Sequence, residues 1–141
     1  MVLDNEGVSK AATDRAMYVR LKVAHDDGHR VLTSAAVLAE ALRGGSRDVQ
    51  VHRVLSRVVV EPVTAVIGQR AGHLIGAVKL SSEQAVDAMV AATAIEQAEQ
   101  AEAADRVTSV LIVTSDLPHL TKLVGGRTGV AVVQVSRLGR L

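Results

Sequence analysis

Five short segments, Met1–Asp4, Arg30–Thr33, Val58–Val60, Val107–Val113 and Val130–Val135, are apolar with little alternation and are separated by longer stretches of helical spacing. A strand with one wet face alternates polar and apolar residues, whereas these need cover on both faces. Parallel pairing demands a long crossover between strands, and helices in the crossovers supply that cover. Right-handed crossovers set the helices in two layers. The sequence therefore predicts an α/β protein: a three-layer α/β/α sandwich around a parallel sheet, with residues 1–141 as one domain.

The intervening segments carry their own stop signals. Helical spacing from Glu6 to about Asp27 ends at Gly28, and Ser34 can cap a helix to Arg43, before Gly44-Gly45. Arg47–Arg57 places Val51, Val54 and Leu55 on one helical face. Thr64–Lys79 and a helix from Ser81 or Ser82 to about Ala104 follow, then a short helix over Leu117–Val124. The Ala/Glu/Gln-rich stretch Ala94–Ala104 reads as the solvent-facing end of its helix.

Composition removes several classes of function. With no cysteine, disulfide scaffolds, thiolate zinc sites and cysteine nucleophiles are excluded. Tyr18 is the single aromatic residue, which nearly excludes reading nucleic acid by stacking bases on aromatic platforms. Net charge is +1, although 12 of the 16 basic residues are arginine, so only a local cluster could attract a polyanion. Asp87, Arg106 and Asp116 break the apolar runs, and the start carries no basic or hydrophobic leader. No membrane partner and a cytoplasmic location are the expectation.

Four carboxylates stand out from the solvated charge of Glu96, Glu99 and Glu102. Asp4 and Asp116 follow apolar strands, and in an open parallel sheet the carboxyl ends of strands form the ligand edge. Each could equally be the N-cap of the helix that follows. Glu40 lies among small and apolar residues, with only Arg43 at helical pairing distance. Asp87 has no cation at i±3 or i±4, and is either a first-turn acid favoured by the helix dipole or a ligand. Two such charges ~4 Å apart repel by about 4 kcal/mol at an effective dielectric of 20. Convergence of all four would demand a cation, and hard oxygen donors without thiolates favour Mg²⁺ or Mn²⁺.

These acids and their contexts resemble the PIN-domain ribonucleases, specifically the VapC-type toxins of bacterial toxin–antitoxin pairs. Val2-Leu3-Asp4, the run Thr33–Glu40, the run Ala85–Ala94 and Val113-Thr114-Ser115-Asp116-Leu117 carry the resemblance across nearly the whole chain. It implies metal binding and catalysis by Asp4, Glu40, Asp87 and Asp116, with Thr114 or Ser115 supporting the last acid. It implies Mg²⁺- or Mn²⁺-dependent cleavage of structured RNA, tRNA or rRNA, by metal-activated water. A homodimer neutralised by a small antitoxin protein is implied as well. Two departures stand out. His119 occupies a position where many relatives carry a further acid, and Asn5-Glu6-Gly7 replaces the small or hydroxyl residues common there.

Further features divide between structure and function. Arg43, Arg47, Arg53 and Arg57 form either a solvated helix face or phosphate contacts beside the metal, Arg43 and Arg47 being nearest Glu40. Gly68, Gly72 and Gly76 are spaced for close helix packing, within the chain or between subunits. The Gly125–Gly129 segment lacks the ending of a phosphate loop. A phosphate-accepting receiver domain needs an Asp ending the third strand, where Val60-Glu61-Pro62 stands. The alternative to a nuclease is a catalytically silent PIN-like module that binds protein or RNA.

Overall fold

The structure, a computed structural model, describes residues 1–138. Five strands, β1 (Val2–Leu3), β2 (Leu32–Ser34), β3 (Val59–Glu61), β4 (Val110–Thr114) and β5 (Val130–Gln134), form one sheet in the order β3-β2-β1-β4-β5. Every pairing is parallel. The α/β/α sandwich expected from the doubly apolar strands is therefore the fold. Central β1 is the shortest strand, and both of its residues are fully buried.

Helices α1 (Asn5–Thr13) and α2 (Arg15–Asp26) join β1 to β2, and α3 (Ala35–Ala41) and α4 (Asp48–Leu55) join β2 to β3. The return to β4 uses α5 (Ala65–Val78), a short 3₁₀ turn at Ser82–Gln84 and α6 (Ala85–Ala103). Then α7 (Leu117–Val124) leads to β5, and α8 (Val135–Leu138) closes the described chain. One layer is built on α1 packed against α2 and α4, the other on α6 packed against α5 and α7. Helix α3 touches both α1 and α6, so it bridges the layers at the edge where the strands end.

Three local differences from the sequence pattern have clear causes. The helix expected over Glu6–Asp27 is two helices, because Asp14 is extended and its carboxylate accepts the N–H groups of Ala16 and Met17. That side chain caps a new helix and ends the old one. The strand expected over Val107–Val113 begins only at Val110, and Val107 is fully exposed. The stretch Ala94–Ala104 is not simply a wet helix end: Ala94, Ile95 and Ala101 are buried, whereas Glu99, Gln100 and Glu102 are exposed. Helix α6 is apolar nearly all round over Ala88–Ile95 because it is enclosed between the sheet and two helices.

The glycine series on α5 is also resolved. A Cβ added at Gly68, Gly72 or Gly76 would meet no atom within 4 Å. Among the described residues nothing packs closely on these glycines, so the internal-packing explanation falls.

Candidate active site

The strand order reverses direction between β1 and β4, which opens a crevice at the carboxyl end of the sheet. Asp4 follows β1 directly, and Asp116 lies just beyond β4. Helix α6 runs back from that edge, so Asp87 is in its first turn there. Glu40 arrives on the bridging helix α3.

Asp4 is 3% exposed and caps α1, its Oδ1 accepting the Gly7 N–H at 2.7 Å. Burial pushes its carboxyl up to about 6, opposed by hydrogen bonds from the Thr114 hydroxyl and the Gly7 N–H and reinforced by the charges of Asp87 and Glu6. Gly7 is needed for this arrangement. A Cβ there would stand 3.1 Å from the Val113 carbonyl oxygen and 3.4 Å from Asp4 Oδ1. The close approach of α1 to β4 explains the glycine in Asn5-Glu6-Gly7.

Asp116 caps α7. Its Oδ1 accepts the His119 N–H at 3.3 Å, and its Oδ2 lies 2.6 Å from the His119 ring Nδ1. Thr114 is fully buried and accepts the Asp116 N–H at 2.8 Å. One hydroxyl thus links the two acids that flank the crevice. Ser115 is exposed instead and lines a surface cavity with Glu6 and Ser136.

Asp87 is half-buried and also pushed up from the usual carboxylate range, first by burial and then by the charges of Asp116 and Glu40, with His119 acting in the opposite sense. Asp4 feels Asp87, and Asp87 feels Asp116 and Glu40, so all four acids share one electrostatic neighbourhood. The ion pair conceivable between Glu40 and Arg43 is absent among the described residues. Arg43 instead donates from Nη1 to the carbonyls of Ala39 and Leu42, closing the end of α3. Arg47 is exposed at the start of α4.

As the side chains stand, no three His, Asp or Glu residues among the described residues form a ready ligand set for one metal ion. At this edge Asp4 and Asp87 are raised, first by burial and further by neighbouring carboxylates, and His119 acts on Asp87 in the opposite sense. Such a cluster can take protons, or a hard cation that relieves the repulsion. Comparison of the chain with protein-family models, with curated proteins and with solved structures returns no match.

Proposed function

We propose that this chain is a divalent-cation-dependent endoribonuclease with a PIN-like site, acting on structured RNA such as tRNA or rRNA. The observation that carries the reading is that Asp4 and Asp116 follow neighbouring central strands and share the sheet's ligand edge with Asp87, which is raised first by burial and then by the charges of Asp116 and Glu40. Carboxylates brought together this way cost stability unless they serve a purpose. The donor chemistry fits Mg²⁺ or Mn²⁺: oxygen donors only, with burial that raises cation affinity once the acids ionise. Bound there, the cation would supply Lewis-acid polarisation of a phosphate oxygen and a more acidic water.

On this reading Asp4, Glu40, Asp87 and Asp116 would hold the cation. The Thr114 hydroxyl and Gly7 N–H fix Asp4, and the α7 cap fixes Asp116. The family likeness extends the proposal to a homodimer whose site is covered by an antitoxin protein.

A second reading, a silent module that binds RNA or protein, is favoured by one observation. Both Asp116 oxygens are already engaged by His119, which competes with a ligand role.

Incubation with total RNA and Mg²⁺ or Mn²⁺, beside EDTA and Asp87→Asn controls, separates the two. The nuclease reading expects fragments with 5′-phosphate ends, and loss of at least about a hundredfold in rate for Asp87→Asn, the upper range for merely supporting partners. A 2′,3′-cyclic phosphate end would rule out water as the nucleophile. No cleavage by folded protein, with no Mn²⁺ heat in calorimetry, would favour the silent module.

A further inference from the structure

Away from the carboxylates, two adjoining cavities form one groove between α1, α2 and α4. The first, of about 520 Å³, is walled by Arg15, Tyr18 and Arg53; the second, of about 800 Å³, by Arg43, Arg47 and Ala41. Ala12, Thr13 and Gln50 line both, so the two are continuous. Ala41 brings α3 into the wall of the second cavity.

The groove is short of available negative charge. Asp14 is committed to the N–H groups of Ala16 and Met17 and to Lys10, and Asp48 to the N–H groups of Arg43 and Gly44. Among the described residues, Arg15, Arg47 and Arg53 have no carboxylate partner. Tyr18 organises the far end. The Arg53 guanidinium lies 4.1 Å from the centre of its ring, and its hydroxyl accepts from Arg57 Nε at 3.1 Å. Such contacts hold an arginine in one place without neutralising it.

We propose that this groove holds the phosphodiester backbone of the RNA away from the cleaved bond, with Arg15, Arg47 and Arg53 contacting phosphates and Tyr18 acting as a positioning residue. The proposal rests on the nuclease reading for its choice of RNA. Charge complementarity selects a polyanion. The contacts are sequence-independent, so they supply affinity and register and leave target choice to shape.

The test is fluorescence anisotropy with a fluorescein-labelled RNA hairpin bearing single-stranded flanks, in EDTA so that nothing is cut, across a salt series. The double variant Arg15→Ala/Arg53→Ala should bind more weakly, with the slope of log Kd against log salt reduced by about 0.7 per arginine. Tyr18→Leu should also weaken binding, and Tyr18→Phe, which keeps the ring under Arg53, should restore most of it. Thermal melts check that each variant is folded. An unchanged slope in the double variant overturns the groove while leaving cleavage of total RNA intact as evidence for the nuclease. Arginine-dependent binding without any metal-dependent cleavage supports the groove and removes the nuclease. Arginine-dependent binding of polyglutamate but not of the hairpin overturns the groove as an RNA site and marks an acidic protein partner.

Discussion

The His119 ring Nδ1 stands 2.6 Å from Asp116 Oδ2, three residues earlier on the cap of α7. Both side chains are about two-fifths exposed, at 38% and 43%, so the pair contributes little stability. Its importance lies in what it withholds. A carboxylate oxygen bonded to imidazole is less free to meet a cation. His119→Asp should therefore strengthen Mn²⁺ binding by roughly tenfold, the lower end of what neighbouring groups contribute at metal sites. Isothermal titration decides, and unchanged affinity would separate His119 from cation binding.

Asp4 makes stability depend on pH with a defined sign. Its carboxyl is raised from 3.8 to about 6 by burial, so the folded chain binds the proton more tightly than the unfolded one. Stability is then greatest at low pH as far as this group is concerned, falls between about pH 4 and 6, and is lower by about 3 kcal/mol above pH 6. Asp4→Asn keeps an oxygen for the Gly7 N–H and cannot ionise. Urea unfolding should show the variant more stable than wild type at pH 8, with the difference gone near pH 4.

Gly7→Ala should cost about 1–3 kcal/mol, because the new methyl meets the Val113 carbonyl oxygen at 3.1 Å and Leu3 Cβ at 3.3 Å. Backbone cannot swing aside as a flexible side chain can. The shift falls on Gly7, whose N–H helps fix Asp4, so Mn²⁺ affinity should drop with stability. Calorimetry at matched folded fraction checks both.

Gly72→Ala on α5 should do the opposite. The position is exposed, lies inside a helix and has no atom within 4 Å of an added Cβ. Alanine gains about 0.5–1 kcal/mol in such a place, a rise in Tm of about 2–4 °C per kcal/mol at this size. A fall in stability, together with weaker self-association by ultracentrifugation, would mean a second subunit rests on this glycine.

The layered sheet was legible because burial on both faces leaves a compositional mark that short strands cannot hide. Asp4 and Asp116 were legible for the same reason: they end apolar strands. Asp14 was not, since an acid in mid-helix spacing looks like surface charge until its carboxylate is seen capping α2. Gly7 was missed because the atom that forbids a side chain there, the Val113 carbonyl oxygen, belongs to a strand remote in sequence. The partnership of Tyr18 with Arg53 and Arg57 joins α2 to α4 and follows no local period. Glycine spacing on α5 could not choose between packing within the chain and packing between subunits, because the pattern is blind to whether anything faces it.

The central position of β1 bears on how the molecule comes into being. Val2 and Leu3, near the start of the chain, pair with Ile112 and Val113 close to its far end. Closing so long a loop is slow and entropically costly, and it cannot occur on a ribosome until β4 has emerged. The crevice between Asp4 and Asp116 consequently cannot form during synthesis before β4 has been made. Whatever chemistry resides there is withheld from the nascent chain, and a message truncated before Asp116 yields a product in which that crevice never assembles.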